Sequence, residues 1–132
     1  MEITDDKILK IALITTLIGI LGLIIFTPTI EVKEIEIEEI DNGMIDEEVS
    51  IIGVVEEVKP SKSGSTYFLK VNDGTGLITV IAFNSVISEM EDSNLSIEMF
   101  NNKKVKIVGK ITEYNNDLEL IISNSNSISI TK

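Results

Sequence analysis

Asp73-Gly74-Thr75-Gly76 is the one stretch of this chain whose small residues could let a backbone close around a phosphate. Phosphate-cradling loops open onto a helix, whose first amides face the anion. Here the flanking runs, Tyr67 to Val71 and Leu77 to Phe83, are mostly apolar and made largely of aromatic and β-branched residues. Asn72 to Gly76 therefore reads as a tight hairpin turn between two strands. The chain has no cysteine and no histidine. That removes thiolate and imidazole metal sites, histidine-based triads and imidazole-ligated haem. The carboxylates are scattered, and no nucleophile lies beside a base. The composition thus predicts no catalysis, no metal and no cofactor. All 11 basic residues are lysine, so the bidentate contacts that guanidinium makes to phosphate or guanine are absent.

The net charge is −11 over 132 residues. Residues 27–45 hold six acids against one lysine, while residues 46–132 hold 13 acids against eight lysines. Such a balance opposes general polyelectrolyte binding to nucleic acid, which needs a positive surface.

The elements that would position any site follow from periodicity. Alternation along the first hairpin strand puts Tyr67, Leu69 and Val71 on one face, with Phe68 and Lys70 on the other. Val49 to Val55 and Val105 to Ile111 echo each other as V-x-I-x-G-x-[VI]. A glycine in mid-strand weakens a flat sheet and predicts a bend, bulge or barrel corner. Two bent strands around a hairpin predict a small closed barrel. Lys59 to Ser65 is a loop carrying Pro, Gly, three Ser and two Lys. Asn84-Ser85 can cap a short helix over Val86 to Met90 or a little beyond. Tyr114 to Asp117 is another hairpin turn, Leu118 to Ile122 a closing strand, and Ile128-Ser129-Ile130 a possible last edge pairing.

In that order, with Y-F-x-x-V-x-D-G-T-G-x-I-x-V-x-x-F at its centre, residues 46–130 resemble the OB-fold nucleic-acid-binding domain of the tRNA-anticodon/helicase type. The resemblance implies an all-β fold: a five-stranded Greek-key barrel with one short helix between strands three and four. Membrane-anchored haem chaperones share this barrel but need a histidine that is missing here. The resemblance also implies a ligand groove across strands two and three, flanked by the loop after strand one and the loop between strands four and five. In this sequence that points to Lys59, Lys62, Phe68, Lys70, Thr79, Phe83, Tyr114 and Asn115 as candidate nucleic-acid-binding residues. Lysines would follow the backbone of a single strand and rings would receive stacked bases. Phe68 and Phe83 could equally pack as core, and Tyr114 could cover the barrel end. Glu56, Glu57 and Asp117 lie nearest the groove and would repel phosphates.

Upstream, Ile11 to Ile30 is 20 residues without a charge. Taken as a helix to Phe26, with Ile8 and Leu9 before it and Thr27-Pro28-Thr29 ending it, this block predicts a single-pass transmembrane anchor. No A-x-A cleavage site follows. Lys7 and Lys10 before it, against Lys33 after it, favour the barrel outside. Ile30 to Ile40 alternates apolar and charged residues, which predicts a lead-in strand or acidic tether, closed by the turn Asp41-Asn42-Gly43. The expected organisation is a polar tail (1–10), a transmembrane anchor (11–29), an acidic lead-in (30–45) and an OB domain (46–132). Two functions compete. One is a membrane-anchored, non-catalytic OB domain binding single-stranded DNA or RNA. The other is an envelope-facing or membrane-complex scaffold whose barrel contacts protein or saccharide, with no nucleic-acid activity.

Overall fold

A computed structural model describes residues 5–26 and 32–131. The chain divides into two compact units, Met1–Glu31 and Val32–Lys132. Within the first, helix α1 spans Asp5–Phe26. Met1 to Thr4 of the expected polar tail, the helix-ending Thr27-Pro28-Thr29, and Ile30-Glu31 of the lead-in lie outside the described residues.

The structure does not bear out the expected membrane anchor. Among the described residues no helix is long and apolar enough to cross a membrane. The reason is where the charges fall. Asp5, Asp6, Lys7 and Lys10 all sit inside α1, so Lys10 separates Ile8 and Leu9 from the uncharged part. That part, Ile11–Phe26, measures about 24 Å at 1.5 Å per residue, against a hydrocarbon core of about 30 Å. The single-pass membrane location, and the orientation argued from lysine bias, fall with the anchor.

The second unit is built from strands β1 (Lys33–Glu34), β2 (Glu48–Pro60), β3 (Tyr67–Asn72), β4 (Leu77–Ala82), β5 (Lys104–Tyr114), β6 (Asp117–Ile122) and β7 (Ile128–Ile130). Helix α2 (Asn84–Asp92) lies between β4 and β5. Antiparallel pairing joins β2 to β3, β3 to β4, β5 to β6 and β5 back to β2, and a parallel pairing of β4 with β6 completes the ring. This is the five-stranded closed barrel expected from the sequence, with its helix between the third and fourth barrel strands.

The two glycine-centred strands are its corners. β2 pairs with β5 through Val54 and with β3 from Val54 onward, with a register shift between Val55 and Glu57. At that crossing a Cβ on Gly53 would stand 2.8 Å from the Asn72 carbonyl oxygen and 2.9 Å from a Val71 methyl. Gly109 sits where β5 passes from β2 to β6, and a Cβ there would meet the Ile121 oxygen at 3.2 Å. At Gly53 the neighbouring strand approaches too closely for a side chain, and at Gly109 a Cβ would be tight.

Inward-facing Ile51, Leu69, Val71, Val80, Ile107, Ile111 and Leu120 are fully buried and form the core. α2 closes one end with Val86, Ile87 and Met90. Its start differs from expectation. The N-cap is Phe83, which makes no side-chain cap bond, and Asn84 is already helical. Burial of the apolar face holds this helix rather than a polar cap.

The lead-in is strand only at Lys33–Glu34, which pairs in parallel with Val49–Ser50 of β2. Beyond it the apolar–charged alternation buries Ile35 and Ile37 in the core. The β3–β4 turn clamps this segment. One Asp73 carboxylate oxygen accepts from the Ile37 amide at 2.8 Å. The other accepts from the Thr75 amide, the Thr75 hydroxyl and the Gly76 amide at 2.8, 2.7 and 3.1 Å. The Glu38 amide donates to Thr75 Oγ1 at 3.2 Å.

Candidate nucleic-acid interface

Strand register places two rows of side chains across the outer face of the barrel. Lys59 on β2 is opposite Phe68 on β3, which is opposite Ile81 on β4, which aligns with Ile121 on β6. Beside this row run Glu57, Lys70, Thr79 and Glu119. Side chains on directly opposed residues share a face, so each row is a continuous strip. The first strip offers apolar and aromatic surface with one cation. The second carries two acids and one lysine: Lys70 Nζ lies 3.4 Å from a Glu57 carboxylate oxygen, both side chains being about half exposed, and Glu119 keeps the strip net negative.

Above these strips the surface forms a groove in two halves. One, of about 430 Å³, is lined by Glu57, Lys59, Pro60, Lys62 and Lys70. The other, of about 460 Å³, is lined by Ser63, Thr66, Ile81, Phe83, Tyr114 and Glu119. Ser61, Phe68 and Thr79 line both, so the halves join over the middle of β3 and β4. Phe68, Phe83 and Tyr114 are 37%, 46% and 65% exposed, so neither phenylalanine is buried core. The loop between β2 and β3 overhangs the groove and is tied by a chain of hydroxyls, Ser61 to Ser63 at 3.1 Å and Ser63 to Ser65 at 2.8 Å.

Seven of the eight residues picked from the sequence, Lys59, Lys62, Phe68, Lys70, Thr79, Phe83 and Tyr114, line this groove. Asn115 does not. It sits in the β5–β6 turn with φ +51, followed by Asn116 at φ +66, and its part is to let the chain reverse in the left-handed region. Among the acids, Glu57 is in the groove, whereas Glu56 turns away to accept from the Asn72 side-chain amide at 2.9 Å. Asp117 lines an adjoining hollow with Asn116 and Leu118, which shares Thr79 and Glu119 with the groove. The acid that sequence reasoning missed is Glu119. Burial first, and then the Asp117 charge, raise its pKa above the usual carboxylate value. Its place beside Thr79 comes from the parallel β4–β6 pairing, which leaves no local mark in the sequence. Among the described residues no three acids gather where they could hold a metal ion.

A closed five-stranded barrel with this helix and an exposed groove across its second and third strands defines the OB class. The tRNA anti-codon family, described as an OB-fold nucleic acid binding domain, matches residues 49–127, and the chain belongs to it. Solved structures agree on the fold. An aspartyl tRNA synthetase from Entamoeba histolytica is 20% identical with a TM-score of 0.63, over 77% of this chain and 22% of that one. An asparaginyl-tRNA synthetase from the same organism is 16% identical at 0.58, over 79% and 24%. The S. pombe Stn1-ten1 complex is 21% identical at 0.52, over 64% and 58%. This chain thus spans less than two thirds of each of these structures. No curated protein matches it.

Proposed function

We propose that this protein binds single-stranded DNA or RNA, without catalysis, in the groove over β3 and β4. The observation that carries this reading is the convergence of Phe68, Phe83 and Tyr114, three partly exposed rings, on one groove to which β2 supplies Lys59 and the loop after it Lys62. Each ring offers a π-face to a base, and each stack contributes roughly 1–3 kcal/mol regardless of base identity. Among the described residues Lys59 and Lys62 make no ion pair, so both ammonium groups are free to follow a phosphate backbone. Lys70 is partly spent on Glu57. Binding of this kind is weak and dominated by stacking.

The test is fluorescence anisotropy of the full chain with a labelled oligo-dT or oligo-U strand at low salt. Micromolar binding that weakens with salt is expected, with the strand recovered intact on a gel. No signal at high micromolar protein would overturn the reading. The acidic balance and Glu119 support one second reading, a barrel that contacts protein or saccharide and leaves nucleic acid alone. That outcome is what a flat anisotropy curve would favour.

A further inference from the structure

The outer face of the first half of β2 carries opposite charge on its two sides. Register sets Ile52 of β2 beside Lys106 of β5, and Val54 beside Lys104. On the other side of β2, Glu34 of β1 aligns with Ser50. Ile52 lines two adjoining hollows. One, of about 440 Å³, is lined with it by Glu34, Glu36 and Glu39. The other, of about 390 Å³, brings in Val54 and Lys104. Val54 is 41% exposed and Ile52 partly so, which leaves an apolar ridge between an acidic edge and a basic one. Lys33 aligns with inward-facing Val49 and so stands off this face, and Glu56 in the second hollow is held by the Asn72 side-chain amide. Among the described residues none of Glu34, Glu36, Glu39, Lys104 and Lys106 is in an ion pair. The reason is spacing: β1 and β5 flank β2, so their charges stand two strand intervals apart, about 10 Å, beyond the reach of an ion pair. A hydrogen bond with Glu38, then burial, then the charges of Glu38, Glu39 and Asp73 hold the Glu36 pKa above its usual value, so negative charge at this edge lacks a counter-charge.

This layout selects its occupant. A phosphate backbone or an acidic protein would meet the carboxylates, and a basic protein would meet the lysines, so a partner of one sign is repelled by half of the face. A second copy is not. Turned through 180° about an axis along β2, it sets its acidic edge over the first copy's lysines and its lysines over the first copy's acids. Ile52 then meets Ile52, and Val54 meets Val54. An axis across the strands would set like charge on like, so the charges admit one orientation. Sheets stacked about 10 Å apart let lysine and glutamate side chains meet across the gap. None of these residues lines the groove.

We propose that two copies of this chain pair face to face through the outer side of β2, with the two-fold axis along that strand. The inference does not depend on nucleic-acid binding and leaves the groove open. The chain has no cysteine, so one introduced thiol reports one contact. Val54→Cys lies at the axis, whereas Leu77→Cys and Tyr114→Cys replace more exposed residues away from it. In the full chain under mild oxidation, covalent dimer at Val54→Cys should exceed that at the other two several-fold. Contact through any other part of the chain would not single out Val54. Two further chains carry Val54→Cys with one edge reversed: Lys104→Glu with Lys106→Glu, and Glu34→Lys with Glu36→Lys and Glu39→Lys. Each alone should lose the excess. An equimolar mixture should regain it as the mixed dimer, identified by mass, which a folding defect in either chain would not allow. Equal cross-linking at the three positions overturns the proposal. So does an excess that survives both reversals, or a mixture that cross-links no better than its components.

Discussion

The two ends of the β3–β4 hairpin are built on opposite plans. At the turn end, Asp73 and Thr75 accept amides from the lead-in and from the turn itself, and Ile37 packs against Gly76. The polar groups there bind one another. At the loop end, Phe68, Phe83 and Tyr114 stay half exposed above the core, under a loop held by serine hydroxyls. The same two strands thus serve stability at one end and recognition at the other. Apolar surface withheld from the core is the mark of the second end, and saturated hydrogen bonding the mark of the first.

Changes at the loop end should alter binding and spare folding. The combined change Lys59→Ala, Lys62→Ala and Phe68→Ala should weaken oligonucleotide binding roughly 100-fold or more, from one lost stack and two lost phosphate contacts. Its melting temperature should stay within a few degrees of the parent, read by circular dichroism. A large fall in melting temperature would break the comparison.

Asp73→Ala tests the turn end. Hydrogen bonds to a charged acceptor contribute about 1.5–3 kcal/mol each when well buried, and Asp73 is only partly so, so a total loss of about 2 kcal/mol is expected. That lowers the melting midpoint by about 10 °C for a domain of this size. Oligonucleotide affinity measured well below the midpoint should not change.

The acid response of this end has a fixed sign. Burial works to raise the Asp73 pKa, but donation from the Ile37 amide, the Thr75 hydroxyl and amide, and the Gly76 amide outweighs it and leaves the pKa lowered. A carboxyl whose folded value lies below its unfolded value contributes fully above the unfolded value. The contribution is lost as pH falls through the folded one. Acid titration below the usual carboxylate range should therefore destabilise the parent more than Asp73→Ala.

Glu119 sharpens the contrast with the smallest effect. Its charge stands in the groove and opposes a phosphate backbone. Glu119→Gln should tighten oligonucleotide binding by about threefold, the scale of a partly screened surface charge. Because burial and Asp117 raise its pKa, mildly acidic pH should tighten binding by the parent. The same pH change should leave Glu119→Gln unaffected, as followed by anisotropy across the pH range.

Much of the barrel was legible because its signals are local. Tyr67 to Phe83 shows two mostly apolar runs, made largely of aromatic and β-branched residues, and a turn within 17 residues, and Gly53 and Gly109 mark the corners. Most of the groove followed once the strands were placed, since alternation puts Phe68 and Lys70 on one face and Leu69 and Val71 on the other, and the fold turns the first face outward. What escaped is non-local. The Asp73 clamp on Ile37 spans 36 residues. Glu119 reaches the groove through a parallel pairing made after the chain has crossed the barrel. The loop between strands four and five put Asn115 among the groove candidates, but the φ of +51 it takes to reverse the chain, and its place off the groove lining, are settled only by the folded turn.

Residue order by itself determined where strands start, bend and turn, because β-branching, alternation and missing Cβ atoms act within a few residues of chain. It also determined that any binding here must do without arginine, histidine and cysteine. Only the tertiary structure decided which rings stay exposed and which acids stand beside them, because those facts depend on strands brought together from distant parts of the chain. It decided the reach of α1 as well: Lys10 lies inside the helix, so the uncharged part ends short of a bilayer's thickness, a length set by helical rise.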